Sequence, residues 1–157
     1  MEEKQLFELM MSNGKEQLQK VIKCNSYTNK FGLSLSSKEA LQLLDSRKNS
    51  LRQEERVEFG EGILSKIIYE FCDSPFIYQD NYVDTLEGLQ EIFYIYKNEA
   101  LDEVTDDELL SYMKECFNGK CQGDLDYLEG SCLDAFCRKI RSEGIGFIGA
   151  GEEENEI

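Results

Sequence analysis

The chain has no histidine, no tryptophan, a single proline, and only 17 basic residues against 32 acidic ones in 157. Each shortage narrows the reading. Without histidine there is no Ser-His-Asp or Cys-His nucleophile system, no imidazole metal ligand, and no side chain whose ordinary pKa suits a general base at neutrality. Catalysis would have to rest on carboxylates, lysine, tyrosine or an unassisted cysteine. None of these stands in a recognised spacing, so the chain reads as a non-enzyme. The scarcity of proline, with abundant Leu, Glu, Lys and Ile, favours helix over a turn-rich β architecture.

No apolar run approaches the ~20 residues that span a bilayer. Residues Met1 to Met11 mix Leu6, Phe7 and Leu9 with Glu2, Glu3 and Glu8, where a secretory leader is basic and then uniformly apolar. The expectation is a cytoplasmic protein that does not touch membranes. Its six cysteines, at 24, 72, 116, 121, 132 and 137, are then expected as free thiols in a reducing compartment. Apolar residues make up 41% of the chain, enough to fill one core without disulfide staples.

The net charge of −15 is placed unevenly. Residues 1–60 carry ten bases against nine acids, whereas residues 61–157 carry seven against twenty-three. Affinity for a phosphate backbone comes from Lys and Arg that release counterions, so direct nucleic-acid binding is not expected. A basic protein surface is the natural counterpart of the acidic stretch, although surplus acid commonly serves solubility alone.

Helical periodicity runs through the chain. Leu18, Val21, Ile22 and Cys24 form one stripe, and Gly32 stands where a left-handed C-cap belongs. Ser36 with Glu39 is a capping box opening a helix through Leu41, Leu44 and Leu51. Ile63, Leu64, Ile67, Ile68, Phe71 and Cys72 give the strongest pattern, ended by Pro75. Tyr82, Leu86, Leu89, Phe93 and Tyr96 form a long stripe. Thr105 with Glu108 is a second capping box, followed by Leu109, Leu110, Met113 and Phe117, with a stop at Asn118-Gly119. A turn around Leu125 and Leu128 leads to a last helix through Leu133, Phe136, Cys137 and Ile140. The pattern predicts an all-α fold, an irregular or orthogonal bundle of six to seven helices in a single domain over residues 1–143. Residues 144–157, glycine-rich and then acidic, are expected to be a disordered tail.

Four motifs bear on chemistry. Gly144-x-Gly146-x-x-Gly149 matches the dinucleotide fingerprint as a string, but an expected helix precedes it where the fingerprint needs a strand, so it carries no cofactor prediction. Cys116-x4-Cys121 and Cys132-x4-Cys137 invite a four-thiolate zinc reading without the tight C-x2-C spacing, and remain weak metal or redox candidates. Glu99, Asp102, Glu103, Asp106, Asp107 and Glu108 place six acids in ten residues, which helix capping explains in part and an imitation of a phosphate track would use in full. The segment Ser74 to Tyr82 gathers three aromatics around the only proline; Phe76, Tyr78, Asp80 and Tyr82 are its candidate binding residues, and Asp80 or Asn81 its candidate cap for the next helix.

Several short runs carry a resemblance: Phe59-Gly60-Glu61-Gly62-Ile63, Phe71-Cys72-Asp73-Ser74-Pro75, Gln79-Asp80-Asn81-Tyr82, Lys97-Asn98-Glu99, Asp106-Asp107-Glu108-Leu109 and Cys121-Gln122-Gly123. Together they resemble an uncharacterised family of small bacterial proteins, a domain of unknown function found mainly in anaerobic Gram-positive species, over roughly Leu6 to Arg141. The resemblance implies a bacterial, cytosolic, helical protein and supplies no activity or site residues. The leading expectation is a non-catalytic interaction or regulatory module that binds a protein partner or itself, without cofactors. Its alternatives are an acidic mimic occupying a nucleic-acid-binding protein, and a cysteine-based metal protein.

Overall fold

Two reciprocal hydrogen-bond pairs set where the longer helices begin. The Ser36 hydroxyl accepts from the Glu39 N–H at 3.1 Å while the Glu39 carboxylate accepts from the Ser36 N–H at 2.9 Å. Thr105 and Glu108 repeat the arrangement at 3.1 and 2.9 Å. Each box satisfies N–H groups that the first helical turn leaves without partners. In the computed structural model, which describes residues 14–58, 60, 62–133, 135, 136 and 138, the fold is all-α, and there is no strand among the described residues. The glycine-rich and acidic residues 144–157 lie outside them.

The chain divides into two compact units, Met1–Gln90 and Glu91–Ile157. In the first, helix α1 (Gly14–Lys23) and the short α2 (Asn25–Thr28) lead into a 3-10 turn, Asn29–Phe31. Gly32 closes that turn at φ +78°, the left-handed conformation that costs glycine nothing. Helix α3 (Ser37–Gln53) and helix α4 (Leu64–Phe71) both pack against α1. The α4 stripe is buried as expected: Ile63, Leu64, Ile67, Ile68, Phe71 and Cys72 are all in the core.

Helix α3 departs from the expected face. Its buried residues are Ala40, Leu43, Leu44, Arg47, Ser50 and Leu51, while Leu41 is only half-buried. The face is turned because Arg47 goes inside, where its guanidinium lies 3.5 Å from the Glu58 carboxylate. Gly62, at φ +62°, sits directly against this pair; a Cβ there would overlap both the Glu58 carboxylate and the Arg47 guanidinium.

Helix α5 (Tyr82–Glu99) starts in the first unit and ends in the second. Leu101 and Asp102, both left-handed at φ 57° and 58°, turn the chain after it. Lys97 holds this turn: its buried ammonium donates to the Val104 carbonyl and lies 2.8 Å from the Asp106 carboxylate. Replacing Lys97 with Met leaves that carbonyl unpartnered, whereas the partly exposed Asp106 can rehydrate. The expected loss is about 2 kcal/mol, read as a lower urea midpoint; an unchanged midpoint would remove Lys97 from the account. Helix α6 (Asp106–Asn118) buries Leu109, Leu110, Met113, Cys116 and Phe117. Asp124 caps α7 (Leu125–Tyr127), accepting from the Asp126 and Tyr127 N–H groups, and the chain continues as a π-helical turn, Leu128–Leu133. What reads in the sequence as a turn around Leu125 and Leu128 is therefore helical.

Candidate functional site

The loop between α4 and α5 is firmly tied down. Gln79 meets the backbone of Ser34 at two points, accepting from its N–H at 2.9 Å and donating to its carbonyl at 3.0 Å. Asn81 accepts from the Tyr78 N–H at 2.8 Å and donates to the Phe76 carbonyl at 3.2 Å. Asn81 thus closes the loop on itself, its side-chain oxygen meeting the Tyr78 N–H before it and not the first turn of α5 as expected of a cap. Of the four residues expected to bind, Tyr78 is 59% exposed, Asp80 is exposed and Phe76 is half-buried. Tyr82 is 1% exposed and cannot meet a partner. It belongs to the core stripe that opens α5, and burial pushes its hydroxyl pKa well above the ordinary tyrosine value.

The larger aromatic surface lies elsewhere in the same unit. Tyr27, Phe31 and Tyr69 are 41%, 39% and 47% exposed. Tyr27 packs edge-to-face on Phe31, with centroids 5.8 Å apart, and on Tyr69 at 5.5 Å. The Lys30 ammonium stands 4.1 Å from the Tyr27 centroid and 5.6 Å from that of Phe31. Such contacts hold the rings in place before any partner arrives. The neighbouring Cys24 thiol and, after it, partial burial raise the pKa of the Tyr69 hydroxyl.

Two of the three rings, Tyr27 and Phe31, rise from a basic stretch of the chain. Residues 15–38 carry Lys15, Lys20, Lys23, Lys30 and Lys38, all exposed, against Glu16 alone. The sequence held a signal for it. Tyr27 and Phe31 are four apart beside a lysine, and Tyr69 is the one aromatic of α4 that falls off its apolar stripe.

In the second unit the cysteines are partly assembled. Cys116, Cys121 and Cys132 are all buried, and the Cys121 and Cys132 sulfurs are 3.6 Å apart. Cys116 lies close enough to Tyr112 and Cys132 for each to influence its thiol. Burial pushes the Cys116 thiol up to about 11 and the Cys121 thiol to about 12. Among the described residues, no three of His, Cys, Asp and Glu converge as a metal would need. Cys137, the fourth zinc candidate, lies outside the described residues. Tyr112 stacks on Phe136 with centroids 4.1 Å apart and lines a shallow groove with Asp107, Glu108, Ser111 and Glu115. Local structure already engages part of the acidic run: Asp106 pairs with Lys97 and Glu108 closes its capping box.

A family described as a family of unknown function, DUF6323, matches residues 20–145. The chain belongs to this family. The match begins later than the resemblance expected from Leu6 and extends slightly past Arg141. Within the DUF6323 stretch fall the aromatic cluster, the 76–82 loop and all six cysteines. No curated protein and no solved structure matches the chain. No helix among the described residues is long and apolar enough to cross a membrane.

Proposed function

We propose that the chain is a non-catalytic, cytoplasmic protein-interaction module whose contact surface is centred on Tyr27, Phe31 and Tyr69. The observation that carries this reading is three exposed aromatic rings in edge-to-face contact, two of them under the Lys30 ammonium. Rigid Tyr and Phe side chains supply large contact area at little cost in side-chain entropy, which is why aromatic residues anchor interfaces. The exposed lysines of residues 15–38 give the partner's chemistry: an acidic protein segment carrying apolar side chains. The strong acidity of residues 61–157 argues against a nucleic-acid strand as the occupant.

The test is selection from a random peptide library on immobilised full-length protein, followed by affinity measurement on the winners. Peptides rich in Asp or Glu with aromatic or aliphatic residues are expected, and Tyr27→Ala should weaken them about 30-fold, the equivalent of ~2 kcal/mol for an anchoring ring. Enrichment of basic peptides indifferent to Tyr27→Ala would overturn the reading in favour of the acidic-mimic alternative. Recovery of peptides derived from the chain itself would make self-association the module's role.

A further inference from the structure

The described cysteines differ in where their thiols point. Cys24 donates to the Lys20 carbonyl and Cys72 to the Tyr69 carbonyl, each within its own helical turn, the usual way a buried thiol is satisfied. Cys121 and Cys132 instead face each other at 3.6 Å. Cys121 sits in the turn after α6, where Gln122 and Gly123 are left-handed at φ 49° and 84°. Cys132 sits on the π-helical turn Leu128–Leu133, a wide geometry that recurs at functional positions. The gap to the ~2.0 Å of a disulfide bond is short enough for side-chain rotation and a small backbone adjustment in two irregular segments.

We propose that Cys121 and Cys132 are a redox-active dithiol that closes a reversible disulfide by exchange with a low-molecular-weight disulfide. In the first step local opening of the turn brings one of these buried protein sulfurs to solvent, where it attacks the small disulfide as thiolate, breaking its S–S bond and releasing one small thiolate. In the second step the other protein sulfur attacks the mixed disulfide at the protein sulfur, forming the Cys121–Cys132 bond and releasing the second small thiolate. The two protein S–H protons end on the two released thiols. The protein sulfurs are oxidised and the small disulfide is reduced to two thiols. Cys116, buried close to the pair, is the competing sulfur. Nothing in this step depends on the aromatic surface of the first unit.

The experiment uses the full-length chain, reduced and folded, incubated with oxidised glutathione, then denatured in the presence of the alkylating reagent and mapped by peptide mass. The expected result is a Cys121–Cys132 linked peptide, two hydrogens lighter than its reduced pair, with Cys24 and Cys72 alkylated and the link reversed by dithiothreitol. Cys121→Ser should abolish that linked peptide, whereas Cys116→Ser should leave it in place. A folded chain that stays fully reduced while the urea-unfolded chain oxidises would overturn the proposal. So would a link mapped mainly to Cys116 or Cys137, or stoichiometric zinc that blocks the reaction.

Discussion

Phe71→Ala is expected to lower the unfolding free energy by about 3–5 kcal/mol, while Tyr69→Ala, two positions earlier on α4, costs about 1 kcal/mol. The two aromatics share a helix and differ in what surrounds them. Phe71 is fully buried with Leu64, Ile67 and Ile68, so its loss removes apolar burial and leaves a cavity. Tyr69 is 47% exposed and meets Tyr27 by one edge, so its loss removes a ring contact and little else. Domains of this size are stable by only about 5–15 kcal/mol, which makes the first change a large fraction of the total. Urea denaturation followed by far-ultraviolet circular dichroism measures both. Peptide binding should run in the opposite order, with Tyr69→Ala weakening it and Phe71→Ala affecting it only through lost folding. If Tyr69→Ala proved as destabilising as Phe71→Ala, that ring would be core, and the binding surface would shrink to Tyr27 and Phe31.

This contrast was half legible in the sequence. Local signals came through: the capping boxes at Ser36 and Thr105, the left-handed Gly32 and the α4 stripe each depend on residues within a turn or two of one another. The inner face of α3 did not. A reading from Leu41, Leu44 and Leu51 assumes that only apolar residues go inside, and Arg47 and Ser50 break the assumption by being buried, Arg47 against the Glu58 carboxylate beyond the end of the helix. Tyr82 shows the same limit at the candidate site. It fits both the α5 stripe and the aromatic loop, and periodicity decides in favour of the core. The meeting of Tyr27 with Tyr69, and of Cys121 with Cys132, depends on how separate elements pack, which pattern along the chain does not encode. The boundary after Gln90 falls inside a continuous helix, with no shift in composition to mark it.

Stability is expected to fall steeply as pH rises above 9 under reducing conditions. In the unfolded chain the thiols of Cys116 and Cys121 lose their protons near the ordinary value of 9.0, whereas in the fold burial raises them to about 11 and about 12. Between those limits the unfolded state binds fewer protons than the folded one, so the unfolding free energy decreases with pH. Their contribution is fully present below pH 9, declines through the interval, and is gone above pH 12. Each pKa unit separating the two states corresponds to about 1.4 kcal/mol, so even part of this separation is a visible share of a marginal stability. The half-buried Tyr112 hydroxyl, raised chiefly by desolvation, acts in the same direction from 10.0 upward. Urea midpoints measured from pH 7 to 10.5 should drop for the reduced wild-type chain and drop less for Cys121→Ala. Closing the Cys121–Cys132 disulfide removes the Cys121 thiol from titration, so the oxidised chain should also keep its midpoint at higher pH. A reduced chain whose midpoint stays level to pH 10.5 would mean that these thiols ionise in the fold as readily as in water, and that the cluster is wetter than its burial indicates.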